Sequence, residues 1–248
     1  GFYSSPHLVS VNERFRINGV PASDASVEKA LALVKEASDS MKLENRFVTF
    51  FEATTAIAAE IFRSEKVDFV VWEVGMGGRL DATNIVTPEL SVITGISLEH
   101  KEYLGDTIEK IASEKAGIIK QDTPVFIGSA TPEAAIGVFR KKADEMNSEI
   151  IIAPDVGKAK NIYFDDASKM PHQELEMADG RLLKVSLPGA HQRWNASLAY
   201  EVVKRLSAMH SFPLDKAAEG FACAVWPARL QFVPELRLII DGAHNPEG

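Results

Sequence analysis

The chain has 248 residues, of which 46% are hydrophobic and 25% are charged, and its formal net charge is −8 at pH 7. This composition is typical of a globular protein with one large α/β domain or two small ones, and the acidic balance argues against a nucleic-acid partner, which requires a basic surface. The single cysteine, Cys223, excludes a disulfide framework and a thiolate metal cluster, and the absence of a long apolar run or signal peptide favours a cytosolic protein without membrane association.

Helix and strand patterns alternate over the first 153 residues. The apolar spacing and the capping box Thr49–Glu52 predict helices over 27–41, 49–63, 107–119 and 131–146. Short apolar runs predict strands over 67–74, 90–96, 124–128 and 149–153. This alternation predicts an α/β fold, with a mostly parallel sheet, right-handed crossovers and flanking helices.

The pattern changes from residue 154 onward. Asp179-Gly180 between two apolar runs predicts a small antiparallel hairpin added to the same domain. Helices are predicted over 194–209 and 213–221, and a final buried strand over 236–240. Pro227 and Pro234 bracket a predicted linker before that strand.

Polar residues follow the predicted strand over 67–74, which we expect to be buried on both faces. The strand ends at Glu73, and three glycines in four positions follow, then Arg79, Asp81 and Asn84. Ligands of open α/β sheets bind beyond the carboxyl ends of the strands. Glu73 is therefore either a surface carboxylate or a Mg²⁺ ligand. If the strand that precedes His100 is its neighbour, both side chains lie at one edge; alone, His100 is more often a structural hydrogen bonder.

Lys115 falls within an apolar stripe of its predicted helix, formed by Ile108, Ile111, Ala112 and Ile119. A buried ammonium is costly unless it is paired or its pKa falls. Two interpretations stay open: the side chain extends to water, or the lysine is functional as a nucleophile or a modified residue.

Three polar loops complete the set of candidate segments, and each has a simple structural alternative. Ser4–Leu8 is a turn with two hydroxyls and a histidine. Asn195 is either a helix N-cap or a ligand contact. Arg229 and Asp241 either clamp a phosphate and a ribose or form an ordinary ion pair. The six histidines lack the i, i+4 spacing of a zinc site.

The order of these motifs resembles the folylpolyglutamate synthase and dihydrofolate synthase family, within the Mur ligase superfamily. The resemblance extends over nearly the whole chain, and its most specific part is the EVGMGGRLDATN segment at 73–84. The other matching segments are 4–8, 13–14, 49–52, 100–105, 114–118, 191–196, 226–229 and 241–246.

The resemblance implies an ATP-dependent ligase that joins L-glutamate to folate, to dihydropteroate or to both through an acyl phosphate. It implies Mg²⁺, allows a monovalent cation such as K⁺, and favours a monomer with small-molecule substrates only. By the same resemblance Lys115 is carbamylated and acts in catalysis with His100 and Glu73, and the magnesium ligands are Ser5, Glu73 and His100. The implied ATP contacts are Asn195, Arg229, Asp241 and His244. The implied pterin-site residues are Thr49, Phe50, Phe51, Glu52, Leu80, Asp81 and Ala82.

Several features depart from the family pattern. The glycine-rich phosphate loop that precedes the Ser-Pro-His segment in the family is missing, as is most of the C-terminal domain. Glu99 replaces an Asp, and Ala228 replaces a Gly, which is costly only at a positive φ. We expect both ends to interrupt a longer structure, with 1–234 as the ATP-binding central domain and 235–248 as the first strand and loop of a glutamate ligase domain. The chain alone should be inactive. The alternatives are a cell-wall Mur ligase and a non-catalytic folate- or nucleotide-binding remnant.

Overall fold

The structure is a computed structural model, and it describes residues 1–98, 100–157, 159–164 and 171–242. Two units divide the chain. The first comprises Gly1–Thr87 and Ser113–Ile118, and the second comprises Pro88–Ala112 and the residues from Ile119 onward.

A four-stranded sheet forms the centre of the first unit. Its strands are β1 (Phe2–Tyr3), β2 (Phe15–Ile17), β3 (Val20–Pro21) and β4 (Val71–Trp72). In the order β3-β2-β1-β4, β1 pairs antiparallel with β2 and parallel with β4. The helices of this unit are α1 (Asp24–Leu43) and α2 (Phe50–Glu65), and 3₁₀ turns cover Val11–Arg14 and Ala82–Ile85.

Aromatic side chains tie α2 to this sheet. The ring of Tyr3 is fully buried and stacks on Phe15, and its centroid lies 4.9 Å from that of Trp72. The Tyr3 hydroxyl forms 3.1 Å hydrogen bonds with the hydroxyls of Thr54 and Thr55 on α2. Strand and helix are therefore fixed together by apolar burial and by satisfied polar groups.

A parallel sheet and its helices form part of the second unit. The strands are β5 (Ser91–Ile93), β6 (Val125–Ile127) and β7 (Ile150–Ile152), in the order β5-β6-β7. The helices are α3 (Lys101–Leu104), α4 (Ile108–Lys115) and α5 (Glu133–Glu145), and a 3₁₀ turn, Ala116–Ile118, follows α4 directly. The last three residues of α4 and this turn belong to the first unit.

An antiparallel addition completes the second unit. It consists of β8 (Asn161–Phe164), β9 (Pro171–Glu176) and β10 (Leu182–Val185), in the order β10-β9-β8, and the helices α6 (Gln192–His210) and α7 (Leu214–Cys223). A last ribbon pairs β11 (Gln231–Val233) antiparallel with β12 (Leu238–Ile240). The predicted hairpin is confirmed, and β8 extends it by a strand that the sequence pattern did not indicate.

The predicted fold class is confirmed, since parallel strands flanked by helices carry a small antiparallel addition. Most predicted helices begin and end within three residues of the observed bounds. The helix predicted over 107–119 ends at Lys115 and continues as the 3₁₀ turn. No helix in the described part of the chain is long and apolar enough to cross a membrane.

Three strand predictions need correction. The strand predicted over 67–74 is only β4, the last strand of its sheet, and it is not buried on both faces, since Val71 is 63% exposed. The strand predicted over 236–240 is β12, in a two-stranded ribbon, and it is not buried, since Ile239 is 64% exposed. Finally, β4 and β5 are not neighbours within one sheet, because β4 belongs to the sheet β3-β2-β1-β4 and β5 to the sheet β5-β6-β7. Close packing of Glu73 and His100 thus does not follow from strand pairing.

Candidate active site

Asp81 shapes the glycine-rich loop that follows β4. Its carboxylate accepts hydrogen bonds from the backbone N–H of Met76 at 2.8 Å and of Thr83 at 2.9 Å, and from the Thr83 hydroxyl. Gly77 takes a φ of +70°, which favours glycine. The Asp81 carboxylate thus holds the loop in shape, whereas the neighbouring Leu80 is 79% exposed.

The loop is fixed to the end of α4 within the first unit. The Arg79 backbone N–H donates to the Glu114 carbonyl at 2.8 Å, and its guanidinium donates to Glu114 Oε1 through Nε at 3.2 Å and Nη2 at 2.9 Å. Asn84 Nδ2 donates to the carbonyls of Arg79 and Gly117, both at 3.1 Å. A Cβ on Gly117 would lie 2.3 Å from Arg79 Cα, so only glycine permits this backbone approach.

Lys115 is the last residue of α4, and the apolar stripe around it is confirmed. Ile111 and Ala112 are fully buried and Ile119 is 1% exposed, whereas Lys115 itself is half-buried. Within the described residues its Nζ forms no salt bridge and no hydrogen bond. The lysine is thus available for a role other than an ion pair.

Ser5 and Glu73 lie side by side. The Ser5 backbone N–H donates to Glu73 Oε2 at 2.8 Å, and the Glu73 backbone N–H donates to the Tyr3 carbonyl at 3.1 Å. The parallel pairing of β1 with β4 brings the residues that follow these strands to one end of the sheet. The Glu73 carboxylate thus lies beside Ser5, a residue with a hydroxyl side chain, and Mg²⁺ prefers oxygen ligands.

Glu13 holds the loop that follows Ser5. Its carboxylate accepts hydrogen bonds from the backbone N–H groups of Leu8, Val9 and Ser10, at 2.8, 3.0 and 2.8 Å. These N–H groups, first those of Leu8 and Ser10, hold the pKa of the Glu13 carboxyl below its ordinary value. Glu13 thus holds the backbone at 8–10, directly after the Ser-Pro-His segment.

Arg14 connects this loop to α2. It is 7% exposed, its Nε donates to His7 Nδ1 at 2.9 Å, and its guanidinium carbon lies 5.3 Å from the centroid of the exposed Phe50 ring. The sequence resemblance included Arg14 but gave it no role. A basic residue next to a strand is not by itself a signal of burial, so only the structure could reveal this contact.

The capping box at the start of α2 is confirmed. Thr49 Oγ1 accepts from the Glu52 backbone N–H at 3.2 Å, and Glu52 Oε2 accepts from the Thr49 backbone N–H at 2.7 Å. The bonds from the Thr49 backbone and hydroxyl lower the pKa of Glu52. Phe51 packs against the glycine-rich loop, since a Cβ on Gly75 would lie 2.3 Å from its Cζ. The Phe50 ring is thus exposed to solvent, whereas the Phe51 ring packs against the loop.

The expected metal ligands are only partly brought together. Ser5 and Glu73 belong to the first unit, and their oxygen chemistry fits Mg²⁺. His100 belongs to the second unit, where it is exposed and precedes α3 with a φ of +51°. Across the described ranges, no group of three His, Cys, Asp or Glu side chains forms a metal cluster.

The expected ATP contacts of the second unit lie on neighbouring elements. Asn195 is exposed in the first turn of α6 and donates to Gln192 Oε1 at 3.1 Å. The N-cap position is His191, so the N-cap alternative for Asn195 is wrong. The Leu230 backbone N–H donates to Asp241 Oδ2 at 2.6 Å. The Leu230 side chain also approaches Gly189, just before α6, since a Cβ on Gly189 would lie 3.0 Å from Leu230 Cδ1.

Arg229 and Asp241 thus lie on adjacent segments near the start of α6. The Gly242 backbone N–H strengthens this arrangement by donating to the Ala228 carbonyl at 2.8 Å. Ala228 takes a φ of +58°, the condition under which an alanine in place of glycine is strained. Both His244 and Glu99 lie outside the described residues.

Comparison with known proteins identifies the family. The model of the Mur ligase middle domain matches residues 25–203. The folylpolyglutamate synthase of Lacticaseibacillus casei is 37% identical over 255 residues, which cover 100% of this chain and 59% of that protein. The dihydrofolate synthase/folylpolyglutamate synthase of Bacillus subtilis is 37% identical over 256 residues, with the same coverage.

Solved structures agree with these relatives. An FPGS–AMPPCP complex superposes with a TM-score of 0.89 at 36% identity, covering 100% of this chain and 62% of the other. For an FPGS–AMPPCP–folate complex the TM-score is 0.88 at 35% identity, with coverage of 100% and 61%. A Mycobacterium tuberculosis folylpolyglutamate synthase bound to ADP gives 0.84 at 31% identity, with coverage of 100% and 56%.

The chain spans about three fifths of the length of the curated relatives it matches. The family model covers well over half of its residues, and the resemblance inferred from the motifs at 4–8, 73–84 and 114–118 is confirmed. This chain belongs to the Mur ligase middle domain family, and its matched relatives there are folylpolyglutamate and dihydrofolate synthases.

Proposed function

We propose that this chain is the central part of an ATP-dependent ligase that joins L-glutamate to folate, to dihydropteroate or to both. The observation that carries the proposal is the contact between Ser5 and Glu73, which gathers two expected magnesium ligands at one sheet end. The relatives named folylpolyglutamate and dihydrofolate synthase support the reaction, and the complexes with AMPPCP and folate support both substrate classes.

The reaction has two steps. A carboxylate of the acceptor attacks the γ-phosphate of ATP to give an acyl phosphate and ADP. The glutamate amine then attacks the acyl carbon, an amide bond forms, and phosphate leaves. Bound Mg²⁺ would supply charge neutralisation between the anionic reactants.

In this proposal the residues of the first unit position the acceptor and the metal. Ser5 and Glu73 would bind Mg²⁺. The sequence resemblance adds His100 as a third ligand and gives Lys115, Glu73 and His100 roles in catalysis. The pterin binds at the exposed surface of Phe50 and Leu80, with Thr49, Phe51, Glu52, Asp81 and Ala82 shaping the site.

Lys115 is proposed to be carbamylated. Its ammonium would first lose one proton, and the neutral amine nitrogen would then bond to the carbon of CO₂ and lose a second proton. The cation is thereby replaced by an anionic carbamate. The half-buried side chain without an ionic partner among the described residues supports this modification, because a carbamate can bind a cation that an ammonium would repel.

The second unit is proposed to hold the nucleotide. Arg229 is exposed, and the contacts of Leu230 with Asp241 and Gly189 place it near the start of α6, which carries Asn195. An arginine suits phosphate and an aspartate suits ribose hydroxyls. His244 is added to this set from the sequence resemblance alone.

Other features of the proposal come from the sequence. The domain division at residue 234, the use of K⁺, the monomeric state and the cytosolic location stay predictions. The test of the function is ATP-dependent phosphate release by the full-length enzyme with L-glutamate and either folate or dihydropteroate. Failure with both acceptors, in an enzyme that binds ATP and is folded, would contradict the proposal.

A further inference from the structure

The end of α4 has an unusual set of partners. The last carbonyl groups of a helix have no partner within the helix and need donors from elsewhere. The Arg79 backbone N–H supplies one to the Glu114 carbonyl at 2.8 Å. Asn84 Nδ2 supplies another to the carbonyl of Gly117, in the turn directly after Lys115, at 3.1 Å. The segment 79–84 thus donates hydrogen bonds to backbone carbonyls on both sides of Lys115.

Arg79 contacts this segment with its side chain as well. Its Nε and Nη2 both donate to Glu114 Oε1, at 3.2 and 2.9 Å. Arg79 therefore donates hydrogen bonds to both the backbone carbonyl and the side chain of Glu114, the residue that precedes Lys115. A lysine at position 79 could offer only a point charge, without the two aligned donors.

Two glycines allow the backbones to approach. A Cβ on Gly78 would lie 2.9 Å from the Glu114 carbonyl oxygen and 3.1 Å from that of Lys115. A Cβ on Gly117 would lie 2.3 Å from Arg79 Cα. Because neither contact leaves room for a side chain, the loop and the helix end are in direct backbone contact.

We propose that Arg79 is a positioning residue, which acts through Glu114 to fix Lys115 relative to the loop that begins at Glu73. The inference rests on the proposed function, because the lysine that Arg79 positions is the one proposed to be carbamylated. No contact of Arg79 with a substrate is required.

The exposure of the ion pair separates this role from simple stabilisation. The side chains of Arg79 and Glu114 are 55% and 25% exposed. Ion pairs this open to solvent add little to the stability of a fold. Loss of the pair should therefore appear in the turnover rate and in local mobility more than in the melting temperature.

The experiment compares four variants of the full-length enzyme: R79A, R79K, E114A and the double variant R79A/E114A. The control is Arg205→Ala, which removes an ion pair of equal length, 2.9 Å from Arg205 Nη2 to Glu149 Oε2, within the second unit. Two properties are measured: kcat and KM for glutamate ligation, and hydrogen exchange of the backbone amides at 114–119.

We expect R79A to lower kcat about tenfold with KM changed less than about threefold, because a small misplacement of a reacting group costs rate more than binding. The double variant should be no slower than R79A by more than about twofold, since the two residues act as one unit. Amides at 114–119 should exchange about tenfold faster in R79A and unchanged in R205A. R79K should recover only part of kcat.

Three outcomes distinguish the positioning role of Arg79 from stabilisation alone and from the proposed ligase function. Unchanged hydrogen exchange at 114–119 in R79A overturns the positioning role, whether or not the enzyme is active. A loss of melting temperature with unchanged kcat per folded molecule also overturns it, because that is the signature of stabilisation alone. Faster exchange in R79A, together with a wild-type enzyme that ligates glutamate to neither acceptor, supports the positioning geometry and contradicts the proposed function.

Discussion

The Ser5 backbone N–H donates a hydrogen bond to Glu73 Oε2 across 2.8 Å, although 68 positions separate the two residues. The bond exists because β1 and β4 are parallel neighbours, with Phe2 opposite Val71 and Tyr3 opposite Trp72. This pairing brings two distant segments together, and we propose that they contribute ligands to a magnesium site. The predictions below test that site and the elements around it.

Glu73→Gln in the full-length enzyme should strongly reduce metal-dependent turnover without unfolding the protein. The amide oxygen can still accept the Ser5 N–H, but the negative charge that Mg²⁺ prefers is lost. We expect ligation to fall about 100-fold or more at a fixed Mg²⁺ concentration. Phosphate release as a function of Mg²⁺ measures the effect.

The matched control for this variant is Glu89→Gln. Glu89 pairs with His210 in the second unit at 2.6 Å and has no assigned role in the site. The E89Q enzyme should ligate glutamate at the wild-type rate. Equal activity of E73Q and wild type at all Mg²⁺ concentrations would show that Glu73 is not a ligand.

Lys115 should carry a carbamate in the active full-length enzyme. With ¹³C-labelled bicarbonate, carbon NMR should show a carbamate signal in the wild type and none in Lys115→Arg, and the variant should lose turnover. The half-buried position without an ionic partner in the described part of the chain motivates this prediction. An active wild type that shows no such signal at saturating bicarbonate contradicts it.

Glu52 should make the stability of α2 depend on pH. Its pKa in the folded protein lies below the ordinary value of a glutamate, because the ionised carboxylate accepts hydrogen bonds from Thr49. A lowered folded-state pKa means that this stabilisation is complete above the unfolded-state pKa and disappears as the pH falls through the folded-state value. The free energy of unfolding of wild type should therefore exceed that of Glu52→Gln at neutral pH.

The difference between wild type and E52Q should vanish under acid conditions below the folded-state pKa. Urea unfolding at several pH values measures it. Glu36→Gln, on α1, is the control for removal of an acidic side chain outside a capping box. A constant difference across the whole pH range would show that the carboxylate charge has no part in the cap.

Ala228→Gly should stabilise the protein. The φ of +58° strains an L-residue and not a glycine, whereas glycine loses more chain entropy on folding. The net gain should be about 0.5 kcal/mol in the free energy of unfolding. Chemical denaturation measures the gain, and Ala224→Gly, at a φ of −62°, should destabilise instead. A loss of stability in A228G would contradict the strain argument.

Local sequence signals predicted the helices and their starts well. The Thr49–Glu52 pair predicted the beginning of α2, and the spacing of Ile111, Ala112 and Ile119 predicted the buried face around Lys115, because both depend on residues a few positions apart. The glycine-rich segment at 73–84 was found for a similar reason, as an unbroken motif.

Contacts between distant segments could not be derived in this way. The two-residue strands β1 and β4 have no pattern of their own, so their pairing, and with it the approach of Ser5 to Glu73, depends on the rest of the fold. The burial of Arg14 next to Phe50 could not be predicted, because a charged side chain is usually exposed. The exposure of β4 and β12 depends on what covers them, which an apolar run alone does not state.

The most direct test of the central claim is the mass of the product formed by the full-length enzyme from ATP, L-glutamate and an acceptor, either folate or dihydropteroate. We predict an acceptor extended by glutamate and one phosphate released per amide bond formed. An ATP-binding, folded full-length enzyme that extends neither acceptor would contradict the account.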